Sequence, residues 1–191
     1  MVKLDKVHLR QLLRSQTNLL DSPQKLNLSN IIMSKVLELE EFKKATTVMC
    51  YISMDQEVNT LIFLQNCIDM GKKLCVPYID LNIKGLMHAV QITDIESQLK
   101  VGSYGILEPK DISKKVEPSQ IDLIIVPGMA FDMGKRRLGR GAGYYDRYME
   151  GILPTTAKCA LCFDHQIIEN VPVEDHDKCM NIIITPTRTI Y

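Results

Sequence analysis

The sequence predicts a three-layer α/β domain with a largely parallel or mixed sheet. Three observations lead there. Ile121 to Val126 (IDLIIV) is nearly all apolar, as in a strand covered on both faces. Along the chain, hydrophobic residues at helical spacing alternate with other short apolar runs, the pattern of strands joined by crossover helices. The 191 residues, 46% hydrophobic and 24% charged, suit one domain of ordinary size with a sizeable core, spanning 1–191.

The elements follow in order. Lys3 to Ser15 carries Val7, Leu9, Leu12 and Leu13 among basic and polar positions, which predicts an amphipathic helix. Ser22-Pro23 reads as a capping side chain followed by proline at the first helical position. Leu28, Ile31, Ile32, Val36 and Leu39 then recur at helical spacing. Val48 to Ile52 reads as a strand. Asn59-Thr60 can cap a helix to Met70, with Gly71 as its stop. Leu74 to Val76 is a short strand ended by Pro77, and Leu86 to Ile92 another strand. Gly102 to Pro109 is loop-like. Ile121 to Val126 is the central strand, Tyr144 to Ile152 a helix closed by Pro154. Lys158 to Phe163 and Ile182 to Thr185 supply the last strands. This is a Rossmann-like arrangement, in which ligands bind beyond the carboxyl ends of strands. The segments after Ile52 and Val126 lie at such ends.

Composition narrows the function classes. Net charge is zero, so no global field points to nucleic acid or a membrane surface. No apolar stretch is long enough to span a bilayer. The N-terminus MVKLDKVHLR lacks a signal-peptide core and contains Asp5, so a cytoplasmic location is expected. The six cysteines then read as free thiols. Cys159-x-x-Cys162 with His176-x-x-Cys179 has zinc-like spacing. However, KCALCF reads as a buried strand, and an odd separation along a strand points Cys159 and Cys162 to opposite faces. No zinc site is expected.

Chemistry concentrates between Asp122 and Asp146. After Pro127-Gly128, Lys135, Arg136, Arg137 and Arg140 bring four positive charges into one segment, among Gly134, Gly139, Gly141 and Gly143. Glycine permits close backbone approach to a ligand, and guanidinium groups beside free N–H groups suit phosphate. Asp132 and Asp146 flank the segment, and nucleotide-bound Mg²⁺ takes one or two carboxylates. GRGAGYYD matches neither common phosphate fingerprint. A solvated turn and a short RNA-binding patch are the competing readings. Four like charges repel without an anion, which argues against the turn; zero net charge argues against RNA. Lys6 and Arg10 lie one helical turn apart and either reach a polyphosphate or face water. Glu57 sits at a strand end as a ligand contact or a solvated turn residue. Tyr144 and Tyr145 suit ring stacking or packing beneath the loop.

Arg137 to Asp146 (RLGRGAGYYD), with Val126-Pro127-Gly128 and Ala130-Phe131-Asp132, resembles the 5-formyltetrahydrofolate cyclo-ligase family, also called 5,10-methenyltetrahydrofolate synthetase. The resemblance extends over nearly the whole chain, through Lys6-x-x-x-Arg10, Tyr51 to Glu57 (YISMDQE), Gly105-Ile-x-Glu-Pro109 and Val171-Pro-x-Glu-x-His-Asp177. It implies ATP- and Mg²⁺-dependent conversion of 5-formyltetrahydrofolate to 5,10-methenyltetrahydrofolate, with release of ADP and phosphate through an iminium phosphate. By motif it implies ATP contacts at Lys6, Arg10, Arg137, Leu138, Gly139, Arg140, Gly141, Ala142, Gly143, Tyr144 and Tyr145. Folate is implied at Ile52 and Glu57 and along Arg140, Gly141, Ala142, Gly143 and Tyr144, with Arg140 catalytic. Asp146 is implied as a Mg²⁺ ligand. Asn181 stands where many family members place a second acidic ligand, with Asp177 as the alternative. Ala142 stands where lysine is common, and Arg136 or Lys135 is expected to supply that charge. A monomer that binds no nucleic acid or membrane is the expected state. A carbohydrate- or phosphate-ester-binding enzyme, or a nucleic-acid-binding module, is the alternative use of the same loop.

Overall fold

The computed structural model describes residues 5–102 and 105–191. In chain order the elements are α1 (Lys6–Asn18), α2 (Ser22–Glu38), α3 (Glu40–Lys44), β1 (Thr47–Cys50), α4 (Leu61–Asp69), β2 (Lys73–Ile79), β3 (Met87–Ile92) and α5 (Ile95–Gln98). There follow β4 (Leu99–Val101), β5 (Leu107–Pro109), β6 (Lys115–Val116), β7 (Leu123–Val126), β8 (Ala130–Phe131), β9 (Arg137–Leu138) and α6 (Tyr144–Tyr148). The chain ends in β10 (Ala157–Leu161), β11 (Ile182–Ile184) and β12 (Thr189–Ile190).

Eight strands form one mixed sheet in the order β12-β11-β10-β7-β1-β2-β3-β6. The five central strands β11, β10, β7, β1 and β2 are parallel, and β12, β3 and β6 extend the edges through antiparallel pairing. The all-apolar run at β7 is explained by its two covered faces. Leu123 and Ile125 join one core with Val48, Cys50, Phe63 and Ile32, while Ile124 and Val126 join the other with Met49, Phe131 and Ala160. Residues along β1 and β10 alternate between the two cores in the same way, as the two-residue pleat requires. The first core carries α2, α3 and α4; the second is closed by the short α6, β8 and the Met180 region. Cys159 lies in the first core and Cys162 in the second, on opposite sides of the sheet as expected.

Several boundaries differ from expectation. Helix α1 starts at Lys6, capped by the Asp5 side chain, which accepts from the Val7 and His8 N–H groups at 2.9 Å. The expected start at Lys3 lies outside the described residues. Val7 and Leu12 turn out to be solvent-facing, and Leu9 and Leu13 make the buried stripe. The cap of α2 is Asp21, one residue before Ser22, in a reciprocal pair with Gln24 (2.8 and 3.0 Å). Pro77 does not end β2. Pairing with β1 stops at Cys75, so Pro77 is paired on the β3 side alone, where a missing N–H is tolerated. Leu107–Pro109 forms a strand on β4 instead of a loop; Ser103 and Tyr104 of the expected loop lie outside the described residues. Helix α6 stops at Tyr148, well short of Ile152.

Candidate active site

The chain leaves β1 toward β2 on one side of the sheet and leaves β7 toward β10 on the other. These two strands are neighbours, so the strand order reverses between them. Loops leaving their carboxyl ends therefore splay apart and open a crevice, the usual ligand position in such sheets. A cleft of about 520 Å³ lies here, lined by both loops.

The post-β1 segment is fixed by Thr60. Its hydroxyl donates to the Tyr51 carbonyl at 2.8 Å and accepts the Ser53 N–H at 3.1 Å, holding Ile52 between them. Glu57 turns back into the cleft. Its Oε2 accepts the Met54 N–H at 2.9 Å, and its Oε1 accepts both Nε and Nη2 of Arg140 at 3.0 and 2.9 Å. The two side chains come from adjacent strand ends 83 residues apart in sequence.

The post-β7 segment runs through the β8–β9 hairpin before it enters the cleft. Lys135 has φ of +61° at the turn. Fully buried Asp132 organises this turn: its Oδ1 accepts the Arg136 N–H at 3.1 Å, its Oδ2 accepts the Val171 N–H at 2.8 Å, and Arg136 Nε lies 2.7 Å from Oδ2. Asp132 is thus a structural anion. Neither it, Lys135 nor Arg136 lines the cleft. The expectation that Lys135 or Arg136 would replace a charge at Ala142 is corrected accordingly, because the hairpin carries both away. The four basic residues divide into two at the hairpin and two at the cleft.

Every residue from Arg137 to Asp146 lines the cleft. Arg137 is a buried strut, with Nη1 on the Pro127 carbonyl at 3.1 Å and Nη2 on Asp146 Oδ1 at 2.7 Å. The Lys178 N–H also donates to that oxygen at 3.2 Å, which seats the Asp177–Lys178 segment against Asp146. Gly139 has no room for a side chain, since a Cβ would stand 2.8 Å from Arg137 Nη1. Gly141 and Gly143 have φ of +106° and +69°, a backbone that side chains disfavour. Tyr145 lines the cleft, and its hydroxyl is buried with no hydrogen-bond partner among the described residues; burial pushes its pKa well above the ordinary phenol value.

Helix α1 closes the cleft with two cations one turn apart. Arg10 Nε donates to the Gly139 carbonyl at 2.8 Å and has no acidic partner among the described residues. Lys6 Nζ lies 2.7 Å from Asp177 Oδ2 and 2.9 Å from Glu174 Oε1. Partial burial works to raise the Asp177 carboxyl, but the Lys6 ammonium and the Glu174 N–H outweigh it and hold the carboxyl below the usual range. Burial likewise opposes the Lys6 charge, and its two acidic partners overcome that and hold its pKa above the ordinary value.

The structure therefore brings Lys6, Arg10, Ile52, Glu57 and the whole of Arg137 to Asp146 into one cleft. It does not bring Asn181. That residue is exposed at the start of β11, where its Oδ1 accepts the Lys158 N–H at 2.9 Å and its own N–H donates to the Lys158 carbonyl at 2.8 Å. Its amide prolongs the β10–β11 pairing instead of facing a metal; Asp177, the alternative, does line the cleft. Sequence reasoning missed the apolar residues Met54, Pro77, Ile79 and Met87, which line the same cleft as the glycine-rich loop. An apolar residue at a strand end reads as core until the sheet edge is known. No group of three metal-ligating side chains is assembled among the described residues, zinc-like or otherwise.

The fold and cleft define an α/β enzyme with a cationic, arginine–glycine loop at the switch point of its sheet. Comparison with known proteins makes this particular. A sequence profile of the 5-formyltetrahydrofolate cyclo-ligase family matches residues 2–186, and the chain belongs to that family. It is 30% identical to a probable 5-formyltetrahydrofolate cyclo-ligase of Schizosaccharomyces pombe, over 99% of this chain and 98% of that one. Against the 5-formyltetrahydrofolate cyclo-ligase of Mus musculus the identity is 29%, over 88% and 87%. The solved structure of Aquifex aeolicus 5,10-methenyltetrahydrofolate synthetase superposes with a TM-score of 0.84 at 28% identity, covering 96% of this chain and 91% of that one.

Proposed function

We propose that this chain converts 5-formyltetrahydrofolate to 5,10-methenyltetrahydrofolate with ATP, releasing ADP and phosphate. The observation that carries the reading is the meeting of two unlike walls in one cleft. A cationic glycine-rich loop, with Arg10 on it, shares the cleft with the apolar residues Met54, Pro77, Ile79 and Met87 and with buried Glu57. The first suits a polyphosphate, the second a flat heterocycle that presents N–H donors to a carboxylate.

The residues take these roles. Lys6 and Arg10 hold the polyphosphate. Arg140, held by Glu57 in the free enzyme, turns to the transferring phosphoryl group, and Glu57 is released to the pterin ring. The formyl oxygen attacks the γ-phosphorus as the bond to the leaving ADP breaks, giving an iminium phosphate at N5. N10 then attacks the former formyl carbon and loses its proton, and phosphate departs with the former formyl oxygen. Such transfer needs chiefly positioning and charge stabilisation, which the arginines and loop N–H groups supply. Asp146 and Asp177 fit Mg²⁺: both are hard carboxylate donors on the cleft wall, and the lack of a closed protein cage suits an ion that takes its other ligands from nucleotide phosphates. When bound, the ion would neutralise phosphate charge. The reading also takes the enzyme as a cytoplasmic monomer that binds neither nucleic acid nor membrane. Among the described residues no helix is long and apolar enough to cross a membrane.

The test is absorbance in the methenyl-folate band with purified protein, Mg²⁺ and 5-formyltetrahydrofolate. Product that appears only with ATP supports the reading; equal product without ATP, or none with it, overturns it.

A further inference from the structure

Arg147 directly follows Asp146, the last residue of the glycine-rich segment, and is not among the residues that line the cleft. Its guanidinium joins the two walls from outside. Nη2 donates to the Ala142 carbonyl at 2.5 Å and Nε donates to the Gly85 carbonyl at 3.0 Å. The group also stands 5.6 Å from the Tyr144 ring centre, in cation–π range. Ala142 and Tyr144 belong to the glycine-rich wall. Gly85 lies in the turn between β2 and β3, the strands that supply Pro77, Ile79 and Met87 to the apolar wall.

Two glycines make room for this seat. A Cβ on Gly143 would stand 2.7 Å from Arg147 Nη1, and one on Gly85 2.7 Å from Nε. Glycine also leaves the loop with little shape of its own, so its carbonyls must be held by other groups. Arg10 holds the Gly139 carbonyl at one end and Arg147 holds the Ala142 carbonyl at the other. In a trans peptide the N–H points opposite the C=O, so fixing the Ala142 carbonyl on Arg147 turns the Gly143 N–H away from it.

We propose that Arg147 is a positioning residue: it clamps the Ala142–Gly143 peptide to the Gly85 carbonyl and so sets the spacing between the loop wall and the apolar wall. The consequence for the two substrates rests on the function proposed above; the clamp itself does not. Two measurements on the full chain separate them. Amide hydrogen exchange without ligands, comparing wild type with Arg147→Ala, is expected to quicken at residues 139–143 and 80–86 and stay unchanged in β1 and β7. Steady-state kinetics are expected to show the KM of both ATP and 5-formyltetrahydrofolate rising about tenfold, the loss of roughly one charge-assisted hydrogen bond, with a smaller change in kcat. Arg147→Lys should rescue only in part, because one ammonium lacks the fork that serves two carbonyls. Gly85→Ala should harm the wild type more than it harms Arg147→Ala, where no guanidinium remains to collide; this pair decides the matter if Arg147→Ala alone folds poorly. Unchanged exchange in both segments, full rescue by lysine, or additive effects of the Gly85 and Arg147 substitutions would each overturn the clamp; wild-type KM values in Arg147→Ala, with exchange quickened, would overturn its consequence for the two substrates. A wild-type protein without cyclo-ligase turnover would overturn the proposed function, while the exchange result would still decide the clamp.

Discussion

Glu57 and Arg140 form an unequal pair. The Glu57 side chain is 7% exposed and anchored by the Met54 N–H, whereas that of Arg140 is 41% exposed. Arg140 is therefore the partner free to move. If it turns to a phosphate, the buried Glu57 carboxylate needs another donor, which the pterin N–H groups of the proposed substrate would supply. Arg140→Ala is expected to lower kcat by about 10²–10³ while changing the ATP KM less, since a single charge-stabilising donor typically contributes that much. Glu57→Gln should raise the KM for folate and leave that for ATP near wild type. Both are read from kinetics with each substrate varied in turn. Near-normal turnover in Arg140→Ala would remove that side chain from the chemistry. Asn181 gives a second expectation. Because its amide is bound to the Lys158 backbone, Asn181→Asp should leave the Mg²⁺ midpoint of activity unchanged, and Asp146→Asn should shift it to higher Mg²⁺. A tighter midpoint in Asn181→Asp would return that position to the metal site. Residue identities in the loop were legible from sequence, through chemistry and family resemblance. Direction was not: that Arg136 turns to Asp132 and Asn181 to Lys158 depends on hairpin and strand register, which no local pattern encodes.

The strongly patterned elements were legible. α2 is found where helical spacing placed it, and β7 and β10 where their apolar runs did, because burial on one stripe or on both faces leaves a periodic trace. Boundaries were less so. The cap of α2 moves from Ser22 to Asp21 because both side chains can cap and only the Gln24 pairing chooses between them. The two-residue strands β6, β8, β9 and β12 are too short to carry a period, so the hairpin that diverts Lys135 and Arg136 left no signal. Strand geometry also carries an expectation for the cysteines. With Cys159 and Cys162 buried in different cores and Cys179 exposed elsewhere, a zinc chelator should leave activity and melting temperature unchanged once Mg²⁺ is restored. Stoichiometric zinc by elemental analysis of the purified protein would contradict this.

At the level of the whole molecule, the site exists because β1 and β7 are neighbours whose connections depart in opposite directions. Sequence could place Glu57 and Arg140 each beyond a strand's carboxyl end, but not side by side. That requires the order of the sheet, a long-range property set by packing. In the proposed reaction one crevice would hold both ligands, and the γ-phosphoryl group would pass straight to the formyl oxygen. The most direct test follows the oxygen atom. With 5-formyltetrahydrofolate labelled with ¹⁸O in the formyl group, ADP, phosphate and methenyl product are expected in equal amounts, and the released phosphate should carry the label. Unlabelled phosphate, or methenyl product formed without matching ADP, would contradict direct phosphorylation of the formyl oxygen in this cleft.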